Sequence, residues 1–261
     1  MIDLTGISVE EFAHPEEKTA LAVLKKVKPV EKLLNWIASE ETRVLLRTQI
    51  LGNYFGITET DYSSLYNLVR EVCQVLDYEQ VPRLYMYRST DFDIKVFAGK
   101  EPLLVFPDFI IHDYDEEMLR FEVGCAITAL KSKTNQLKMA AMAVGSITSM
   151  LPMVGEAVIP VLANWSRKAT FTEDRGGLLA CQDIDVAIRT LMRVAGLPKK
   201  NIDTSRVHEY VKTYTYSGTL ADMSQYMQTI VRMKPWNNDR IVELYKWYHS
   251  GHYDDILEEY E

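Results

Sequence analysis

The side chains able to do chemistry are few and scattered in this 261-residue chain, which has five histidines and three cysteines. Glu122 and Cys125 would sit one turn apart on the same helix face, a spacing that could activate a thiol. A cysteine among Val123, Gly124 and Ala126, however, reads as a buried and inert residue. His208-Glu209-Tyr210-Val211-Lys212 falls one residue short of a helical HExxH, and a protonated lysine in the last place does not bind zinc. His249 and His252, with Asp254 and Asp255 beside them, have chelating spacing but read as an exposed polar cluster. His112, before Asp113 and Asp115, could orient a proton relay and reads as a solvated helix entry. No Gly-rich phosphate loop, GxSxG turn or dinucleotide fingerprint occurs.

The elements that would hold these groups are mostly helices. Ala13-His14-Pro15-Glu16-Glu17 opens one, with proline in its first turn and acids at its positive end. Leu21, Leu24 and Val27, then Leu33, Leu34 and Ile37, keep the i, i+3, i+4 apolar rhythm. Arg43 to Tyr54 and Tyr62 to Leu76 repeat it. Short β-type runs follow at Arg83 to Tyr87, Ile94 to Phe97 and Leu103 to Phe106, separated by Ser89-Thr90-Asp91 and Gly99-Lys100. The helical period returns at Asp115-Glu116-Glu117 and runs to about Leu130. Further helices are expected near 139–150, 153–169, 171–181, 183–195, 204–216, 219–232 and 237–247. Gly196-Leu197-Pro198 is a stop signal.

Composition narrows the classes. The chain has 29 Lys plus Arg against 37 Asp plus Glu, a formal charge of −8, with 47% apolar and 25% charged residues. These are the proportions of an ordinary soluble globular protein. The negative balance argues against a nucleic-acid or anionic-membrane binder, since both need a basic surplus. Met139 to Gly155 carries no charge, but it is short and holds Ser146, Thr148, Ser149 and Pro152. It reads as a buried helix pair and not as a stable membrane span. Cys73, Cys125 and Cys181 form no CxxC pair and suit reduced thiols in the cytoplasm. Met1 to Gly6 shows no secretory signal pattern.

Laid out in order, these segments resemble the HtpX-like zinc metalloendopeptidases, gluzincins with HExxH on one helix and a glutamate ligand on a later one. Leu65 to Arg70 resembles the family's helix before the sheet, Val81 to Tyr85 its first strand, and Val96-Phe97-Ala98-Gly99 its Asn-Ala-Phe-type strand. Asp115 to Gly124 is similar to the lead-in to HExxH. Trp165-Ser166-Arg167-Lys168 and Glu173 to Leu179 resemble the segment around the glutamate ligand. Arg240 to Leu244, Trp247 and Gly251-His252-Tyr253 resemble the C-terminal end of a soluble bacterial subgroup, and Gly6 to Leu21 its N-terminal extension. The resemblance puts the two zinc-binding histidine positions at Cys125 and Ala129, the general base at Ala126 and the third ligand at Thr170. It leaves Asp174 in the supporting position behind the ligands.

A catalytic zinc needs about three protein ligands and a carboxylate to take a proton from its water. This sequence supplies Cys125 and no base, so neither zinc nor another cofactor is expected. The resemblance therefore implies an α+β fold, a mainly helical zincin-like core with a small β-sheet. Residues 1–61 form a helical extension and 62–261 the peptidase-type domain, as one compact unit. The implied function is that of a pseudopeptidase that binds a peptide or protein partner, with Leu103, Leu104, Val105 and Phe106 as the peptide-binding edge strand. The alternatives are a Cys125-dependent enzyme, or a residual metallopeptidase drawing ligands from elsewhere, such as His112 or His208.

Overall fold

The structure, a computed structural model, describes residues 1–139, 155–214 and 233–261. Four helices lead in: α1 (Val9–Phe12), α2 (Pro15–Leu24), α3 (Lys28–Ala38) and α4 (Glu40–Asn53). Strand β1 (Phe55–Ile57) and helix α5 (Ser63–Val75) follow. Then come β2 (Arg83–Tyr87), β3 (Lys95–Phe97), β4 (Leu103–Pro107), α6 (Asp108–Asp113) and α7 (Glu116–Lys131). The second half holds α8 (Gly155–Cys181), α9 (Ile184–Val194), α10 (Val207–Thr213), α11 (Asn237–Tyr248) and α12 (His252–Tyr260). The fold is α+β, mostly helical with a small four-stranded sheet. The uncharged stretch Met139 to Gly155 lies almost wholly outside the described residues, as does the helix expected over 219–232. Among the described residues no helix is long and apolar enough to cross a membrane.

The sheet order is β1-β2-β4-β3. β4 runs parallel to β2, with Leu84 beside Leu104, and antiparallel to β3, with Val96 beside Leu104. The expectation that Leu103 to Phe106 forms an edge is therefore corrected. Both sides of that strand are paired, and among the described residues the edges are β1 and β3. The residues explain the placement. Leu104, Val105 and Phe106 are fully buried on both faces of the sheet, as a continuous apolar run favours. Lys95-Val96-Phe97 buries only its middle residue, and a lysine is a common guard on an open edge.

One face of the sheet packs on α5 and α7 through Leu84, Leu104, Phe106, Leu68, Val72 and Phe121. Leu4, Ile7, Val9 and Phe12 from the N-terminal segment belong to this same core. A second cluster joins α2 and α3 to the first half of α8 through Leu24, Leu33, Ile37, Leu162 and Trp165. The N-terminal segment is held by polar contacts too. Arg175 donates to the carbonyls of Phe12 and Ala13 at 3.1 Å, and the Thr172 hydroxyl donates to Glu17 at 2.5 Å.

Helices α7 and α8 cross at glycine. A Cβ on Gly124 would lie 2.5 Å from the Ala180 Cβ, and one on Gly177 would lie 2.9 Å from the Phe121 carbonyl oxygen. The two backbones are therefore nearly in contact, which only residues without side chains permit. α8 continues unbroken through Thr170, where the sequence suggested two helices. β1 and α6 are elements that periodicity did not indicate, being three and six residues long.

Candidate functional site

Helical spacing fixes one wall of the site. Glu122, Cys125, Ala126 and Ala129 recur at i, i+3, i+4 and i+7 along α7, so they share a face, and all four are buried. The glycine crossing brings α8 close enough that Thr170 and Glu173 border the same space. Arg240, in the first turn of α11, enters from a third side. Asp93, β3 and Lys234 complete a cavity of about 220 Å³. The residues identified from sequence at four separate points, 125, 126, 129 and 170, thus line a single cavity.

Its walls are unusually charged for a protein interior. Arg240 donates from Nε to Asp174 Oδ1 and Oδ2 at 3.2 and 3.0 Å, and from Nη2 to Oδ1 at 2.6 Å. Both side chains are buried, 5% and 1% exposed, so this pair sits in the core. The Cys125 thiol faces the same carboxylate, 3.9 Å from Oδ1. Lys138 donates to Glu173 at 2.8 Å and approaches the Thr170 hydroxyl at 3.5 Å, while that hydroxyl donates to the Ser166 carbonyl at 3.0 Å. Lys234 pairs with Asp93 at 2.5 Å. At the rim, the Lys95 nitrogen lies 4.0 Å over the ring of Tyr87. Glu122 differs from these carboxyls: its Oε1 is buried with no hydrogen-bond partner.

Electrostatics follow from this packing. Burial pulls the Arg240 guanidinium down, but Asp174, its hydrogen bonds and Glu122 hold it well above its ordinary value. Burial, then Asp174 and Glu122, push the Cys125 thiol well above the usual range. Burial raises the Glu122 carboxyl to about 7, with Arg240 opposing and Asp93 adding to the shift.

No family profile matches the chain, and no solved structure matches it. Among curated proteins, the plastoglobule-localized metallopeptidase 48, chloroplastic, of Arabidopsis thaliana is 25% identical over 199 residues. That alignment covers 73% of this chain and 57% of the plant protein, so the chain spans a little over half its relative's length. The chain is a distant relative of a metallopeptidase.

Zinc, which the sequence resemblance implies for an active relative, does not fit the residues present here. Of the four implied positions, Cys125 alone offers a donor suited to zinc. The alanines cannot coordinate, and the Thr170 hydroxyl is already bonded to Ser166. The thiol is held in its neutral form, and the neighbouring carboxylates Asp174, Glu173 and Asp93 are already engaged by Arg240, Lys138 and Lys234. Among the described residues no three His, Cys, Asp or Glu side chains are grouped to hold a metal ion. The histidines weighed from sequence stay apart from the cavity. His112 is exposed on α6, His208 lies 3.0 Å from the Tyr245 hydroxyl, and His252 lies 3.0 Å from the Glu11 carbonyl.

Sequence reasoning missed Arg240, Lys138, Lys234 and Asp93 as cavity residues. One signal was available for Arg240. It precedes Ile241, Val242 and Leu244 on a helix whose apolar face must be buried, and a buried arginine requires an acid partner.

Glu122 gives a stability prediction with a definite sign. Its carboxyl is raised to about 7 in the fold, against 4.5 for an ordinary glutamate. The folded state therefore prefers the neutral acid. The contribution of Glu122 to stability is greatest below about pH 4.5, falls as pH rises toward 7, and stays reduced above it. The loss is on the order of 3 kcal/mol. Glu122→Gln keeps the shape without the charge. Urea titrations should find the variant more stable than the parent above pH 7 and nearly equal near pH 4. A pH-independent difference would refute this account of Glu122.

Proposed function

We propose that this chain is an HtpX-like metallopeptidase relative that has lost zinc and the general base and retains the cleft as a binding site for a peptide or protein segment. The observation that carries this reading is the convergence of Cys125, Ala126, Ala129 and Thr170 on one cavity, with an arginine paired to Asp174 beside them. The zincin-like scaffold persists in this reading as helix packing, with Asp174 turned from supporting a ligand to neutralising Arg240. The edge strand β3 borders the cavity through Lys95 and Val96, so an extended segment could pair there without any catalytic group. Hydrolysis by Cys125 gains no support from a neutral, buried thiol with a carboxylate as its neighbour. The three free, buried cysteines suit a reducing compartment such as the cytoplasm.

Two measurements test the reading. Elemental analysis of the purified, dialysed protein should give far less than one zinc per chain, and β-casein should remain intact on prolonged incubation. About one tightly held zinc per chain, as a catalytic site requires, would overturn the loss of the metal. Hydrogen exchange with a β-casein digest as the probe should slow amide exchange within residues 94–98. If protection appears only elsewhere, pairing at β3 is not the mode of binding.

A further inference from the structure

Beyond holding a backbone, the cavity carries a charge imbalance that points to a particular ligand group. Four cations border it, Lys95, Lys138, Lys234 and Arg240. Three of them face their own carboxylates: Arg240 faces Asp174, Lys138 faces Glu173 and Lys234 faces Asp93. The fourth, Lys95, is stacked over Tyr87 at the rim, and the exposed Asp91 accepts a hydrogen bond from the Tyr87 hydroxyl. Glu122 is left over. It is 6% exposed, sits on the wall one turn from Cys125, and has a buried oxygen without a partner among the described residues. Counting Asp174, five carboxyls stand against four cations.

A buried carboxyl without a partner is costly, and the cost is removed by a counter-ion that also donates hydrogen bonds. We infer that the cavity binds a primary ammonium group at the end of an unbranched chain, with Glu122 as its counter-ion. An anionic ligand would meet three cations that already face carboxylates and a fourth, Lys95, engaged at the rim by the Tyr87 ring and the Tyr54 hydroxyl, and would add a second unbalanced negative charge near Glu122. The small wall residues, Cys125, Ala126, Ala129 and Thr170, leave room for the aliphatic stem. A void of about 220 Å³ is ample, since an engineered cavity of about 150 Å³ already admits benzene. Two sources share this chemistry: a free alkylamine, and a lysine side chain of a peptide lying along β3. The second rests on the peptide-binding function proposed above.

Calorimetric titration near neutral pH separates the possibilities. The probes are n-pentylamine, n-pentanol, the acetylated tripeptide amide valyl-lysyl-valine, and its norleucine counterpart, which has the same stem without the charge. Pentylamine should bind with millimolar affinity or better, and pentanol at least about tenfold more weakly. Glu122→Gln should weaken pentylamine about tenfold or more, and Ala126→Leu, which fills the cavity floor, should abolish binding. Circular dichroism verifies that each variant is folded, and either variant alone suffices as the control. The lysine tripeptide should bind about tenfold more tightly than the norleucine one in the parent and equally in Glu122→Gln. Binding of pentylamine that depends on Glu122, with no binding of either tripeptide, supports the ammonium site and overturns the peptide reading. Equal binding of both tripeptides, unchanged in Glu122→Gln, overturns this inference and leaves the peptide reading standing. Failure of both pentylamine and the lysine tripeptide to bind at millimolar concentration overturns the ammonium site outright.

Discussion

Gly177→Ala is expected to lower the melting temperature by roughly 5–10 °C, reflecting a loss of about 2–3 kcal/mol. The added Cβ would stand 2.6 Å from the Cys125 sulfur and 2.9 Å from both the Phe121 ring and the Phe121 carbonyl oxygen. A sulfur can rotate away, but a backbone carbonyl inside α7 cannot, so the two helices must separate. In an exposed helix the same change would gain up to about 1 kcal/mol from propensity alone. Gly52, near the end of α4, provides the contrast, because a Cβ there meets nothing within 4 Å. Gly52→Ala should leave the protein as stable or slightly more so. Adding Cys125→Ala to Gly177→Ala should recover part of the loss by removing the sulfur contact and none of the carbonyl contact. Thermal unfolding of the four proteins decides the matter. A Gly177→Ala variant that melts with the parent would show that the crossing can open to admit a Cβ that would otherwise stand 2.9 Å from the Phe121 carbonyl oxygen.

That crossing also explains how much of the molecule the sequence revealed. The apolar patterns located α5, β2, β4, α7 and α9 closely, because the helices have apolar faces long enough to show their period and the strands are compact apolar runs between turn residues. β1 and α6 escaped, since three and six residues are too few to establish one. The edge assignment failed for a different reason. Family likeness placed the peptide edge at Leu103 to Phe106, although four successive apolar residues already spoke for a strand buried on both faces. The alternating Lys95-Val96-Phe97 carried the opposite signal and is the true edge.

The site was legible in the pattern of α7 alone; on α8, family likeness marked Thr170 and Asp174, while a helix break was expected at 170. Periodicity alone puts 122, 125, 126 and 129 on one face, and Thr170 and Asp174 share a face of α8 one turn apart. Nothing in the local sequence says that Lys138, Asp93 or Lys234 meets them, because each is joined through tertiary packing of separate elements. Glu122 was noticed as a possible partner for Cys125. In the fold the thiol turns to Asp174, and Glu122 is the carboxyl left without a hydrogen bond on one oxygen.

The buried pair between Arg240 and Asp174 should be the most costly single contact to break. Arg240→Met removes the guanidinium but keeps much of its apolar stem, and is expected to cost about 3–5 kcal/mol, since one member of a buried ion pair is left uncompensated. The carboxylate of Asp174 would then face the Cys125 sulfur and lie in the same charged neighbourhood as Glu122, with its bidentate donor gone. A second variant isolates the cause. Asp174→Leu combined with Arg240→Met replaces both charges by apolar groups and should recover the loss to within about 1 kcal/mol of the parent, as apolar replacement of buried ion pairs often does. Urea unfolding of the parent, both single variants and the double at neutral pH supplies the cycle. If the double variant is no more stable than Arg240→Met, the guanidinium does more in the fold than neutralise Asp174.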